Sequence, residues 1–245
     1  MPVDKNQFSS KKYRVNLIMH NWPGERNTRQ ALMDAIAAYG YGGVVTNVPR
    51  ENGGIQNPGN IEEFKQIIQE LEERGLSFWI YDEDGYPSGY AAGKVLEGHP
   101  ELEAKGFYMI RRIAYEPRHS VFQLDDESDR IIWAAKYPVD CSALNDSILQ
   151  YDRMEAVPFS DTFCECDLKE KEAFFIFCVK PAYEGSHCTH NVCSHSRYIN
   201  ILDPHAIRRF LDLCYEPVAA LIPDAYRRAE AVFTDEPSLQ NAYIV

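Results

Sequence analysis

Short apolar segments alternate with amphipathic segments along the first third of the chain. Residues 13–20, 42–46 and 76–81 are apolar runs of strand length. The stretches between them place apolar residues at helical spacing. The pattern therefore predicts the order β-α-β-α-β, and continuously apolar strands that alternate with helices are typical of a parallel sheet covered on both faces.

Polar residues and glycines set the predicted limits of the two helices. Thr28 is the expected cap of the first helix and Asn60 the expected cap of the second, because short polar side chains satisfy the free N–H groups of a first turn. Gly40 and Gly75 follow the last apolar positions and are expected to end these helices.

The pattern changes after the third predicted strand. Residues 91–105 are predicted to be helical. Runs of strand length separated by turn signals then occur at residues 107–115, 120–124, 130–139, 163–168 and 173–180. These runs predict an all-β inserted domain at 107–182, which interrupts an α/β domain formed by 1–106 and 183–245.

The α/β pattern resumes near the C-terminal end of the sequence. Asp203 is expected to cap a helix with Pro204 at its first position. This helix leads to a fourth short apolar strand, which ends at Asp235, Glu236 and Pro237.

The net charge argues against some classes of partner, and the cysteines indicate the compartment. The formal net charge of -12 argues against nucleic acid and against an anionic membrane surface as partners. Residues 1–14 lack the apolar core of a secretory signal, and no apolar run approaches the ~20 residues that span a bilayer. The seven cysteines are then most simply reduced thiols of a cytoplasmic protein.

Carboxylates cluster where the third and fourth strands end. Asp82, Glu83 and Asp84 follow one strand, and Asp235 and Glu236 end the other. If the strands are neighbours, the two groups share a pocket and shift each other's pKa, which suits glycoside hydrolysis. The same oxygens could instead bind Ca²⁺ or Mg²⁺, or could simply keep the strand ends hydrated.

Aromatic and amide side chains also follow the predicted strands. Sugar rings stack on aromatic faces and accept or donate hydrogen bonds to Asn, His and carboxylate groups. The expected substrate-binding residues are His20, Asn21, Trp22, Asn47, Asp82 and Tyr86.

A run rich in cysteine and histidine occupies residues 187–195. Its ligand types suit zinc, but the spacing H-C-x-H-x-x-C-x-H lacks a C-x-x-C pair and matches no standard zinc site. We interpret the run as a loop without a metal, and a zinc-binding protein remains the weaker alternative.

Three stretches of the chain resemble a known family. The run W-I-Y-D-E-D-G-Y-P-S-G at 79–89 resembles the third-strand motif of bacterial glycoside hydrolases related to the α-L-rhamnosidases with a (β/α)8 barrel. Residues 42–47 and 233–237 are similar to the same pattern. The Asp-Glu-Pro ending is also similar to the Asn-Glu-Pro of the broad barrel glycosidase clan, in which the Glu is the general acid/base.

This resemblance implies an α/β fold built as a partial (β/α)8 barrel of about four βα units, with an all-β antiparallel insertion after strand three. It implies that Glu236 is the general acid/base, with Asp235 orienting it or the sugar and Glu83 as a candidate second carboxylate. A complete barrel needs eight strands. The chain is therefore expected to be the first half of a longer enzyme, or to pair with the missing C-terminal half or a second copy.

The predicted function is hydrolysis of a glycosidic bond in a carbohydrate substrate. No cofactor is expected, apart from a Ca²⁺ ion that the carboxylate cluster could hold. The alternative is a non-catalytic carbohydrate-binding or assembly module.

Overall fold

The structure, a computed structural model, describes residues 14–82, 85–126, 129–140, 148–182 and 197–237. Their contacts divide the chain into two compact units. The first contains the residues up to Glu103 and resumes at Tyr198, and the second is Ala104–Arg197. No helix in these ranges is long and apolar enough to cross a membrane.

A parallel sheet of four strands organises the first unit. Its order is β1 (Asn16–Met19), β2 (Gly43–Thr46), β3 (Ser77–Tyr81) and β11 (Ala231–Phe233). All three pairings are parallel, so the four carboxyl ends lie along one edge.

Five α-helices accompany this sheet: α1 (Arg26–Ala38), α2 (Pro58–Glu73), α3 (Pro204–Cys214), α4 (Glu216–Leu221) and α5 (Ala225–Arg228). Helix α2 buries its apolar stripe completely, because its apolar residues recur every three or four positions. The stripe consists of Ile61, Phe64, Ile67, Ile68 and Leu71, and it belongs to the same core cluster as Val44 of β2 and Phe78 of β3.

The start of α1 differs from the prediction. Glu25, and not Thr28, caps the helix, and its carboxylate accepts hydrogen bonds from the backbone N–H groups of Asn27 and Thr28. Gly40 follows the helix with a φ of 85°, which agrees with the predicted glycine ending.

The start of α2 also lies earlier than predicted. Asn57 is the N-cap, and its side chain accepts from the N–H of Gly59. Asn60 is instead buried and holds the preceding loop, since its amide nitrogen donates to the carbonyls of Pro49, Glu51 and Gly54. For α3 the prediction is confirmed: Asp203 caps the helix.

The second unit contains an antiparallel sheet of five strands. Its order is β4 (Lys105–Ala114), β10 (Glu172–Pro181), β6 (Arg130–Asp140) and β7 (Ile148–Leu149), and β8 (Glu155–Ala156) also pairs with β6. Strands β5 (Arg118–Gln123) and β9 (Phe163–Leu168) form a separate antiparallel pair.

Successive side chains of β10 enter two different apolar clusters, as the two-residue period of a strand requires. Phe174, Ile176 and Cys178 belong to one cluster, and Ala173 and Phe175 belong to the other. The predicted strands at 107–115, 130–139 and 173–180 thus agree with β4, β6 and β10, with ends that differ by one or two residues.

The predicted helix over 91–105 is wrong. The chain forms only two short 3-10 turns there, Ala91–Gly93 and Pro100–Leu102. Gly93 and Gly98 have φ of 82° and 71°, and Pro100 lacks an N–H, so a continuous α-helix is interrupted repeatedly.

The predicted partial (β/α)8 barrel is also wrong. The uninterrupted βα alternation is confined to β1-α1-β2-α2-β3, and in the described ranges seven of the eleven strands lie in antiparallel sheets outside the parallel one. The fold is therefore a mixed α/β fold, rich in strands and poor in helices, with no barrel repeat. Two βα units give the same local pattern in an open sheet and in a barrel, so the local pattern carries no information about closure.

Candidate functional site

The candidate site lies where the four parallel strands end, because polar side chains follow each strand at this edge. His20 follows β1, Asn47 follows β2, Asp82 follows β3, and Asp235 and Glu236 follow β11. We refer to these residues, together with the side chains they contact, as the strand-end site.

Asp82 is a buried structural carboxylate. Only 3% of its surface is exposed. It accepts hydrogen bonds of 2.7 Å from the hydroxyls of Ser88, Tyr215 and Thr234. A carboxylate has about four acceptor positions, so these bonds occupy most of them. Asp82 therefore joins Ser88, Tyr215 and Thr234 and holds this part of the site together.

The surroundings of Tyr215 keep its phenol protonated, so that it can donate a hydrogen bond. Burial, the charge of Asp82 and the hydrogen bond to Asp82 all raise the pKa of the Tyr215 phenol far above its usual value. Its hydroxyl therefore stays protonated at any physiological pH and continues to donate to the carboxylate.

Ser88 ties the loop after β3 to the end of β11. Its hydroxyl accepts from the backbone N–H of Asp235 at 2.8 Å, and its own N–H donates to the carbonyl of Asp235 at 2.9 Å. The hydroxyl of Tyr198 donates to the carbonyl of Ser88. The backbone that carries Asp235 is thus fixed from two sides.

Tyr81, the last residue of β3, lies at the centre of the strand-end site. Its hydroxyl donates to a carboxylate oxygen of Asp235 at 3.1 Å. Its ring lies 5.2 Å from the rings of both His20 and Phe233. The guanidinium carbon of Arg50 lies 6.0 Å from the centre of the ring, which is the range of a cation–π contact.

Glu236 presents an exposed carboxylate next to this centre. The hydroxyl of Tyr86 donates a hydrogen bond to it. Glu236 has a φ of 46°, in the left-handed region that residues with a side chain rarely adopt. Strained backbone of this kind is concentrated at functional positions in proteins.

His20 has two competing partners. Its Nδ1 lies 3.4 Å from the side-chain oxygen of Asn47 and 3.4 Å from a guanidinium nitrogen of Arg50. The amide nitrogen of Asn47 donates to the carbonyl of Val48, so its oxygen faces the imidazole. Protonated Nδ1 can donate to Asn47, whereas unprotonated Nδ1 can only accept from Arg50.

A cleft of about 120 Å³ opens beside His20, between the loops that follow β1 and β2. The indole of Trp22 is held in its wall by a 2.8 Å hydrogen bond to the hydroxyl of Thr46. Other lining residues are Asn21, Arg50, Asn52 and Glu63. The cleft is therefore mainly polar, with one aromatic wall.

The structure brings some of the predicted site residues together and leaves others apart. His20 contacts Asn47, and Asn21 and Trp22 line the cleft beside them. Tyr86 contacts Glu236. Asp82 is close to these residues but is turned inward, and Glu83 and the run 187–195 lie outside the described ranges.

Two residues that organise the site, Arg50 and Tyr215, were not among the predicted ones. Arg50 lies three positions after Asn47, so the loop that follows β2 could have indicated it. Tyr215 follows α3, and its sequence surroundings give no signal that it reaches Asp82.

Within the part of the chain that the structure describes, no group of three or more His, Cys, Asp or Glu side chains could hold a metal ion. The carboxylates considered as Ca²⁺ ligands make other contacts in the structure. Asp82 accepts hydrogen bonds from hydroxyls, and Asp235 and Glu236 each accept one from a tyrosine. The chain matches no protein family and no curated protein in the comparisons made.

Proposed function

We propose that the strand-end site binds a carbohydrate and that Glu236 acts as a general acid/base in the hydrolysis of a glycosidic bond. The observation that carries this proposal is the position of Glu236. It is exposed, oriented by Tyr86, and adjacent in the chain to Asp235, which Tyr81 holds.

The chemistry follows from these contacts. A protonated Glu236 would donate its proton to the glycosidic oxygen while the leaving sugar departs, and the resulting carboxylate would then activate water. The hydroxyl of Tyr86 would orient the carboxyl group. The ring of Trp22 and the side chains of His20 and Asn21, which line the cleft, would contact the sugar.

One observation favours a second candidate, a non-catalytic carbohydrate-binding module. Glycosidases commonly place two carboxyl groups on either side of the scissile bond. Asp82 is occupied by three hydroxyls, so the described strand ends offer Asp235 and Glu236, which are neighbours in the chain. A second copy of the chain, or residues outside the described ranges, would have to supply a facing carboxylate.

The compartment is part of the proposal. Cys164, Cys166, Cys178 and Cys214, the cysteines within the described ranges, are not in disulfide bonds. Free thiols are usual in reducing compartments, which supports a cytoplasmic protein.

The experiment compares the full chain with Glu236→Gln on a panel of aryl glycosides, with sugar binding measured by calorimetry. Loss of hydrolysis by about 10²-fold or more with binding retained would support the enzyme. Glu155→Gln is the matched control, since Glu155 is an exposed carboxylate on β8 of the second unit. Binding without turnover by the unaltered chain would support the module, and neither binding nor turnover would exclude both.

A further inference from the structure

Arg50 is incompletely partnered at the cleft beside His20. Its Nε is buried and has no hydrogen-bond partner among the described residues. None of the described carboxylates lies within ion-pair distance of it; its contacts are the Nδ1 of His20 and the ring of Tyr81. A buried guanidinium N–H without an acceptor is unfavourable, because the group has lost water and gained nothing in its place.

The acidic residues that line the same cleft do not fill this role. The carboxylate of Glu63 lies 3.3 Å from Arg29, and it pairs with that arginine instead. The backbone carbonyl of Glu51 accepts from the Asn60 amide, and the Glu51 side chain is exposed. The positive charge of Arg50 is thus available to a ligand in the cleft.

The other side chains of the cleft add neutral polar groups. Asn21 and Asn52 line it with amides, and Trp22 supplies a wall. A volume of about 120 Å³ accommodates one charged substituent with its hydration rather than a chain of sugars. An anionic group joined to a sugar in the strand-end site would fit this combination.

We propose that the cleft holds the carboxylate of a uronic acid and that Arg50 is its counter-ion. A guanidinium presents two parallel N–H groups that match the two oxygens of a carboxylate, and Nε is one of them. The inference rests on the proposed function, since it specifies the sugar class that the strand-end site accepts. It also gives the Arg50 Nε the acceptor that it lacks.

A bound carboxylate would also leave the Nδ1 of His20 with one hydrogen-bond partner instead of two. When Arg50 turns its N–H groups to the ligand, Nδ1 of His20 no longer has to accept from it. The imidazole can then donate to the side-chain oxygen of Asn47, which lies 3.4 Å away. Binding of the anion therefore favours a protonated Nδ1.

The experiment uses two sugar pairs that differ only at the sixth carbon: galacturonate with galactose, and glucuronate with glucose. Binding to the full chain is measured by calorimetry at physiological salt. We expect one uronate to bind at least about tenfold more tightly than its neutral partner. Arg50→Ala should abolish this preference, so that the uronate and its neutral partner bind alike. Arg227→Ala, an exposed arginine of α5, is the matched control and should keep the preference.

Arg50→Lys is a second variant in case Arg50→Ala does not fold. It keeps the positive charge but cannot donate two parallel hydrogen bonds to a carboxylate. It should retain a smaller preference for the uronate. Equal binding of acidic and neutral sugars by the unaltered chain would overturn the uronate inference and leave the carbohydrate function standing. A preference that survives in both Arg50 variants would also overturn it. Binding of neither pair would overturn the inference and count against the proposed function itself.

Discussion

The hydroxyl of Thr234 donates a hydrogen bond of 2.7 Å to the carboxylate of Asp82, although the two residues are 152 positions apart in the chain. Thr234 directly follows β11 and Asp82 directly follows β3, so this bond joins the ends of two neighbouring strands. Ser88 and Tyr215 donate to the same carboxylate. Asp82, which the sequence predicted to bind substrate, thus holds together three side chains from distant parts of the chain.

Replacing Asp82 by alanine should lower the free energy of unfolding by about 3 kcal/mol, since it leaves the hydroxyls of Ser88, Tyr215 and Thr234 without this acceptor. Asp82→Asn should lose less, because it keeps one acceptor oxygen. Urea denaturation of the full chain measures both. Asp34→Ala, which removes an exposed carboxylate paired with Arg74, is the control and should change stability by less than about 1 kcal/mol. Equal losses in Asp82→Ala and the control would contradict the structural role.

Two substitutions at Tyr81 separate its ring from its hydroxyl. Tyr81→Phe removes the hydrogen bond to Asp235 and keeps the packing on His20, so it should cost about 1 kcal/mol. Tyr81→Ala also removes a buried ring and should cost about 3–5 kcal/mol. Thermal and urea unfolding provide the comparison. A Tyr81→Phe variant as unstable as Tyr81→Ala would show that the hydroxyl, and not the ring, dominates.

Gly43 allows β2 to lie close to β3. A Cβ at this position would come within 2.2 Å of the carbonyl oxygen of Ser77. Gly43→Ala should therefore destabilise the chain by about 1–3 kcal/mol, because strand backbone has to move. Gly24→Ala is the matched control, since a Cβ there meets no atom within 4 Å. If both variants unfold at the same denaturant concentration, the close approach is not as described.

Glu70 should make stability depend on pH in the acidic range. Its burial would raise the pKa of the carboxyl group, but hydrogen bonds from Arg29, Gln30 and Arg26 and the charge of Arg29 outweigh this and lower it. Because the folded pKa is lower than the unfolded one, the stabilisation is fully present above about pH 4.3 and is lost as pH falls through the folded value.

The measurement is the free energy of unfolding between about pH 3 and pH 7 for the unaltered chain and for Glu70→Gln. At neutral pH the variant should be less stable by about 3 kcal/mol, because the buried Arg29 loses the carboxylate 2.9 Å from its Nε and keeps the longer pair with Glu63. Its stability should also fall less steeply toward acid. Parallel pH curves for the two proteins would show that Glu70 is not responsible.

The sequence predicted the positions of strands well because each strand depends on its own residues. The apolar run at 76–81 contains β3, and the run at 42–46 contains β2. The cap of α1 was predicted three residues too late, since Glu25 is an unusual cap and Thr28 is a common one.

Features that depend on distant residues could not be predicted in this way. Neither the pattern around Asp82 nor that around Tyr215 shows that the two side chains meet, because the contact requires α3 to pack beside the sheet edge. The barrel was predicted wrongly for a similar reason, since closure depends on strands beyond the local βα pattern. That the Nε of Arg50 has no hydrogen-bond acceptor among the described residues can be learned only from the positions of its neighbours in the structure.

The three hydroxyls that bind Asp82 are synthesised at very different times. Ser88 leaves the ribosome shortly after Asp82, whereas Tyr215 and Thr234 follow only after all of Ala104–Arg197 has been made. Domains generally fold as units while the chain is still growing. The second unit can therefore fold first, and the strand-end site is completed only after Thr234 has been made.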